Sequence, residues 1–194
     1  MDSSPTKHDE LVDRFVEVLN ARGVESLPDE EVPEELRISG NKNSAGCAWR
    51  IRAAKLNPWV AELDKKLAEP FPVLYHSLIA RYRFAEFEIG PVLFFANTGH
   101  GVFHELANCI FRDQYVSPVL LDQGLLQFAQ PDSVNYDPIC FDTRRSQNGD
   151  APVVRIDHED ILSRNNRGRI VEEISPSFQA FIQRAIAGDF NAQR

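Results

Sequence analysis

Apolar residues recur at helical spacing in three parts of the chain. Between Asp9 and Arg22 they lie three or four positions apart, and Gly23 follows as a suitable helix stop. The same spacing runs from about Val73 to Tyr82, and it returns after Ser175-Pro176. Each stretch is predicted to be an amphipathic helix, and the last carries one apolar face made of Phe178, Phe181, Ile182, Ala185 and Ile186. Weaker helical patterns run from Asn57 to Leu67 and from Phe103 to Asp113.

Shorter apolar runs separated by turn residues fill the stretch from Ser117 to Asp157. Turns are predicted at Asp122-Gln123-Gly124, from Pro131 to Asn135, and from Arg145 to Asp150. Strands joined by such short turns form an antiparallel meander. Elsewhere, alternation predicts short strands in CAWRIRA and between Phe84 and Ile89, whereas VLFFA suits either a buried strand or a helix start.

The stretch SLPDEEVPEELRISGNKNSAG, which follows the first helix, is rich in Glu, Pro, Ser, Gly and Asn. It is predicted to be an irregular, solvated connection. A chain of 194 residues suits one domain. We therefore expect residues 1–45 to be a helix and an acidic connection, packed on or appended to a main domain at residues 46–190, with a tail at 191–194.

The net charge of the chain limits the classes of macromolecule that it is expected to bind. The chain has 21 Lys and Arg against 29 Asp and Glu, which gives a net charge of −8. Nucleic-acid binding draws on clustered Lys and Arg, so this composition argues against a nucleic-acid partner. An acidic chain is either simply well solvated or offers an acidic face to a basic protein.

The sequence carries no signal for a membrane or for an oxidising compartment. MDSSPTKHDE lacks the apolar core of a signal peptide, and no run approaches the ~20 apolar residues of a membrane span. Cys47, Cys109 and Cys140 are odd in number and far apart, which indicates neither a disulfide framework nor a zinc site. A reducing cytoplasm is the expected compartment, with no membrane partner.

One histidine pair has the spacing of a metal site. His100 and His104 lie four residues apart, with Glu105 beside them, and two histidines at this spacing on a helix can share a metal ion. However, the motif is not HExxH, and the pair straddles the predicted start of a helix. Surface or capping histidines are favoured, so neither a metal nor a cofactor is expected.

A second group of reactive residue types lies near the end of the meander: Asp137, Cys140, Asp142, Asp157, His158 and Glu159. Brought together, they would suggest a Cys-His nucleophile or a carboxylate metal site. Strand parity argues against this, because Cys140 and Asp142 are predicted to face opposite to Asp137. In the next strand, parity places His158 with the core-facing Val154 and Ile156, and Asp157 on the other face. His158 is therefore expected to be either a buried, hydrogen-bonded histidine or a cap at the strand end.

The group is therefore predicted to be mainly scaffold, with carboxylates at strand ends holding turns through hydrogen bonds to the backbone. No catalytic residue is assigned. What is left is an outward acidic surface for a protein partner, with Asp137, Asp142, Asp157 and Glu159 as the first candidates.

Four motifs, in this order, resemble the SUKH superfamily, which includes fungal regulators of cell-wall synthesis and many bacterial immunity proteins. EPFPVLYHSLIARY is similar to a family helix entered through a proline and an aromatic residue, and YDPICFD to an acidic-aromatic strand motif. VVRIDHED is similar to an aspartate-bearing strand, and Ser177-Phe178 to the pair that opens the closing helix. The resemblance covers roughly Asn57 to Ala187, about two-thirds of the chain.

The resemblance implies an α+β fold, with a mixed, mostly antiparallel sheet of about four to six strands, flanked by helices and closed by a C-terminal helix. It also implies a binding module and not an enzyme. Bacterial members commonly serve as immunity proteins that block a toxin, often a nuclease. An acidic chain suits a basic nuclease because complementary charge speeds encounter. The alternative is a small metal-dependent or Cys/His hydrolase.

Overall fold

The computed structural model describes residues 6–24, 27–28, 31–43, 46–54, 58–98, 104–131, 135–165 and 167–190. The helices are α1 (Lys7–Arg22), α2 (Pro58–Asp64), α3 (Val73–Arg81), α4 (His104–Phe111), α5 (Val116–Asp122), α6 (His158–Asp160) and α7 (Phe178–Ala187). The strands are β1 (Arg37–Asn43), β2 (Gly46–Trp49), β3 (Arg52–Ala53), β4 (Tyr82–Arg83), β5 (Phe87–Ile89), β6 (Val92–Phe94), β7 (Leu125–Gln130), β8 (Ile139–Asp142), β9 (Val153–Asp157) and β10 (Arg169–Ser175). None of the described helices combines the length and apolarity that crossing a membrane requires.

Six strands form one sheet in the order β10-β9-β8-β7-β6-β5. Every neighbouring pair is antiparallel, which confirms the predicted α+β class with its mostly antiparallel sheet. The connection from β8 to β9 turns at Asn148 and Gly149, with φ angles of 53° and 78°, as expected for an Asn-Gly hairpin. The VLFFA run contributes β6. Two further antiparallel pairs, β1 with β2 and β3 with β4, lie outside this sheet.

The main core lies between one face of the six-stranded sheet and helices α3 and α7, with α1 packed against both helices. Its centre is aromatic. Phe128 and Phe141, from adjacent strands, stack with ring centroids 4.0 Å apart, and Phe178 of α7 meets Phe141 edge-on at 5.2 Å. Tyr75 of α3 lies 5.2 Å from Phe128. Stacked and edge-to-face rings attract each other, so these contacts hold α3 and α7 against the sheet.

The opposite face of the sheet carries a second, smaller core. Cys140, Val154 and Ile156 are fully buried there, and α5 covers them through Leu120. Because side chains alternate along a strand, their neighbours Phe141 and Val153 lie in the main core instead. The faces predicted for Cys140, Val154 and Ile156 are confirmed.

Helix α7 is held at both ends by residues distant in sequence. At its start, the Asp150 carboxylate accepts hydrogen bonds from the backbone N–H groups of Phe178 and Gln179, both at 3.0 Å. At its end, the Arg22 guanidinium of α1 donates to the carbonyl oxygens of Ala185 and Ile186, at 2.6 and 2.8 Å. These bonds satisfy backbone groups at both termini that the helix itself leaves without partners.

The hairpin predicted at Asp122-Gln123-Gly124 is wrong. The residues before it form helix α5, and only those after it form a strand, β7. Leu120 is buried while Pro118 is exposed, so this run buries one helical face. An apolar run of this length has no clear period, and the turn signal marks the end of a helix here.

The irregular connection predicted after α1 is also wrong in part. It contains a 3-10 turn at Glu34–Leu36 and strand β1, which pairs with β2. Val32 and Leu36 are buried in the main core. Isolated apolar residues in an acidic, proline-rich stretch give no periodic signal, so the sequence pattern hides these contacts.

Candidate functional site

The loop that leads into β8 is built around Asp137. Asn135 and Asp137 exchange two hydrogen bonds, and each residue donates one of them. The Asp137 N–H donates to Asn135 Oδ1 at 3.0 Å, and Asn135 Nδ2 donates to Asp137 Oδ2 at 2.9 Å. Such a closed local turn holds the Asp137 carboxylate in one position.

Strand β9 ends at Asp157 because this residue caps the short helix α6. Its Oδ1 accepts from the backbone N–H groups of Glu159 and Asp160, at 3.0 and 3.3 Å. Its Oδ2 is paired with Arg169. The chain therefore leaves the strand geometry just before His158, and strand alternation no longer decides where that imidazole lies.

His158 turns towards Asp137 and bonds to it twice. The His158 backbone N–H donates to Asp137 Oδ1 at 3.1 Å, and His158 Nδ1 lies 2.8 Å from the same oxygen. An ionised carboxylate can only accept, so Nδ1 carries the hydrogen of this bond. Arg155 completes the network by donating from Nη1 to Asp137 Oδ2 at 3.3 Å and from Nε to Glu172 at 3.1 Å.

These bonds lower the pKa of the Asp137 carboxyl. Burial alone would raise that pKa, since only 6% of the residue is exposed. The hydrogen bonds from the side chain and backbone of His158 and from Asn135 outweigh burial, so the pKa lies below its usual value. The carboxylate is therefore ionised and fully engaged at neutral pH.

This network forms the floor of an open pocket of about 640 Å³, which we call the Asp137 pocket. It is lined by Asn135, Tyr136, Asp137, Arg155, Asp157, His158, Glu159 and Val171. Tyr136 is 77% exposed, the highest value among the large apolar side chains in the described part of the chain. The pocket thus combines a hydrogen-bonded polar network with a solvent-exposed aromatic side chain.

Three of the four predicted site residues, Asp137, Asp157 and Glu159, line this pocket. Asp142 does not. It lies at the other end of β8, about 17 Å from Asp137 along an extended chain, and it is 1% exposed. Burial would raise its pKa, but hydrogen bonds from Arg144 and Arg145 outweigh that effect and the pKa lies below its usual value. Asp142 anchors these two arginines and forms no part of an outward surface.

Strand parity therefore predicts the face of Cys140 correctly and that of His158 wrongly. Cys140 is fully buried on the opposite face, where burial and the neighbouring Asp142 raise the pKa of its thiol, so it forms no nucleophile with His158. His158, however, lies against Asp137 and not on the face that parity gives it, and it is hydrogen-bonded there at the end of the strand. The physical reason is the helix cap at Asp157, which ends the strand one residue before His158.

Among the described residues, no group of three or more His, Cys, Asp and Glu side chains is arranged to hold a metal ion. His100 lies outside the described residues, as do the side chains of His104 and Glu105, so their predicted arrangement stays a prediction.

Sequence reasoning missed Asn135, Tyr136 and Arg155. A signal for the turn was present in Asn135-Tyr136-Asp137 before Pro138, since Asx residues close such turns. Asp157 followed by Asp160 has the spacing of a helix N-cap and would have placed the strand end. Comparisons of the chain with protein family models, curated proteins and solved structures found no match. The SUKH resemblance stays a prediction from the motifs quoted above.

Proposed function

We propose that the protein is a non-enzymatic binding domain that recognises a protein partner through the Asp137 pocket. The observation that carries this proposal is Tyr136, whose side chain is 77% exposed beside a fixed network of Asp137, His158 and Arg155. Tyrosine and arginine are enriched among the residues that dominate binding energy at protein interfaces. A floor that is already ordered costs little to fix on binding.

Charge favours a basic partner. The pocket is lined by three carboxylates, from Asp137, Asp157 and Glu159, and by one guanidinium, from Arg155. The whole chain carries a net charge of −8. Complementary charge speeds encounter and disfavours wrong partners, so a basic protein surface suits this pocket. With the SUKH resemblance, a basic toxin such as a nuclease is the partner we propose, met in a reducing cytoplasm.

The test is site-specific photocrosslinking in cells of the protein's own source. A benzophenone side chain is placed at Tyr136, and at Tyr115 as the matched control. Tyr115 is 66% exposed but belongs to the start of α5 and not to the pocket. We expect a discrete protein adduct from position 136 and none of that mass from position 115, with mass spectrometry identifying the captured chain.

A charge reversal then tests the partner's chemistry. Glu159→Lys changes an exposed pocket carboxylate, since only the backbone N–H of Glu159 joins the helix cap. It should reduce the adduct, whereas Glu69→Lys, at another exposed site, should not. Equal adducts at both positions, or an adduct that Glu159→Lys leaves unchanged, would contradict the proposal. If the captured protein is a toxin domain, purified complexes and protection of toxin-expressing cells follow as direct checks.

Hydrolysis is the second candidate, because His158 is oriented by Asp137 at 2.8 Å and opens onto the pocket. The described lining residues include no Ser, Thr or Cys nucleophile, so the imidazole would have to activate water. Chromogenic esters and phosphate esters test this candidate. Turnover that His158→Gln abolishes and His76→Gln preserves would support it, since His76 is paired with Asp64 at 2.9 Å elsewhere. Absence of turnover in the unmodified protein would remove it.

A further inference from the structure

Strand β10 occupies an edge of the six-stranded sheet, outside β9. It spans seven residues and is the longest strand of that sheet. Its first five residues, Arg169 to Glu173, are all exposed, so neither face of this part of the strand is covered by the described chain. Its outer backbone edge pairs with no other strand among the described residues.

A long open edge is a template for pairing with another strand. Edges are normally short, covered, bulged or charged, which keeps foreign strands away. Two β-branched apolar residues, Ile170 and Val171, lie in the middle of this edge and are 38% and 37% exposed. The other sheet edge, β5, has only three residues.

We infer that β10 pairs antiparallel with β10 of a second copy of this chain, with the two-fold axis at Val171. The sequence RIVEE is self-complementary in this register. Arg169 of each copy lies opposite Glu173 of the other, and Val171 meets its own equivalent. Opposite charges placed across an antiparallel pair stabilise it, and a two-fold interface uses the same patch on both copies.

The irregularity of β10 fits this choice of partner. Its pairing with β9 shifts register between Ile170 and Glu172 and again between Glu173 and Ser175, and bulges of this kind bend a strand. A straight foreign strand matches a bent edge poorly. A second copy has the same bend at the same residue, and the two-fold axis at Val171 places the two bends opposite each other.

Arg169 and Glu173 are each ion-paired within their own copy, and both side chains are still accessible. Arg169 bonds to Asp157 and Asp160 through Nη2 and Nε, and its side chain is 62% exposed. Glu173 accepts from Arg145 through Oε2 at 2.8 Å, and its side chain is 44% exposed. A guanidinium has five N–H donors and a carboxylate accepts several bonds, so both groups can bond across the axis without leaving their present partners.

The experiment uses two charge reversals and their mixture, measured by sedimentation velocity over a concentration series. Arg169→Glu places four carboxylates across the axis, and Glu173→Arg places four guanidinium groups there. We expect the unmodified chain to dimerise and each variant alone to associate at least about tenfold more weakly. Mixed one to one, the variants should form a dimer with one copy of each, because both cross-axis pairs are then opposite in charge.

The mixture controls for effects within a copy, since each variant keeps the same internal environment whether alone or mixed. A second variant guards against misfolding: Val171→Asp should also be monomeric, while Val73→Asp, at an exposed position in the first turn of α3, should dimerise. Circular dichroism confirms folding. The inference is overturned by an unmodified chain that stays monomeric throughout the series, by Val171→Asp that still dimerises, or by folded charge variants that do not recombine when mixed.

Discussion

The hydroxyl groups of Tyr75 and Tyr82 differ in hydrogen bonding. Tyr75 is fully buried, and its hydroxyl has no hydrogen-bond partner among the described residues. The hydroxyl of Tyr82 donates to Asp13 Oδ1 at 2.6 Å. A buried hydroxyl without a partner loses its water and gains nothing in return, so Tyr75 carries a cost that Tyr82 does not.

Removing each hydroxyl should therefore have opposite effects. We expect Tyr75→Phe to raise the free energy of unfolding by about 1 kcal/mol, and Tyr82→Phe to lower it by about 1 kcal/mol. Urea denaturation of the two variants measures both changes against one reference. A loss of stability in Tyr75→Phe would show that the hydroxyl is satisfied in solution, for example by a buried water.

Single-residue caps explain where residue-level prediction succeeded and failed. The apolar spacing predicts a first helix from Asp9, but Thr6 is its N-cap and Asp9 closes a reciprocal capping box three residues later. At Asp157 the consequence is larger, because the cap moves His158 from the second core to the Asp137 carboxylate. Periodicity describes the interior of an element and says little about the residue at which it ends.

At the scale of elements, the β8–β9 hairpin depends on Gly149. Its φ is 78°, and a Cβ atom there would lie 2.8 Å from Cγ2 of Val73 on α3. Gly149→Ala should therefore cost about 2 kcal/mol, roughly half from the left-handed backbone and half from the clash. The clash part should disappear when Val73 is also changed to Ala.

A double-mutant cycle measures this coupling, with the free energies of unfolding of Gly149→Ala, Val73→Ala and the double variant. Val73 is 44% exposed, so its own truncation should have a small effect. Additive costs in the double variant would mean that the hairpin and α3 do not press on each other at this point.

A helix is easier to predict from the sequence when it buries a longer apolar face. Helices α1, α3 and α7 each bury a long apolar stripe, and the spacing of that stripe is visible in the sequence. Helix α5 has seven residues and buries few of them, which is too short for its period to be separated from that of a strand. The stretch between α1 and β1 reaches the core through isolated buried residues, so its apolar positions show no period in the sequence.

For the molecule as a whole, two buried carboxylates should govern stability in acid. The pKa values of Asp137 and Asp142 in the folded state lie below their usual values. Folding then favours the ionised forms, and this stabilisation is fully present above the unfolded-state pKa of about 4. It is lost as the pH falls through the lower folded-state pKa values, because the unfolded chain binds protons first.

Asp137→Asn combined with Asp142→Asn should remove this dependence. We expect the double variant to be less stable by about 2 kcal/mol or more at neutral pH, and its free energy of unfolding to change less between neutral pH and about pH 2. Urea denaturation across that range compares the two curves, which should converge in acid. Glu34→Gln, at an exposed carboxylate, should instead run parallel to the unmodified protein. Parallel curves for the double variant would assign the acid sensitivity to other groups.

The hydrogen bonds from Arg22 to the end of α7 have a consequence for synthesis on the ribosome. Arg22 donates to the carbonyl oxygen of Ala185 across 163 residues of sequence. Helix α1 therefore emerges long before the helix that its C-terminal end holds, and its apolar face must wait in an incomplete nascent chain. Closure of the domain therefore waits until α7 has cleared the exit tunnel. Chaperones that bind nascent chains would meet α1 as an exposed amphipathic segment during that interval.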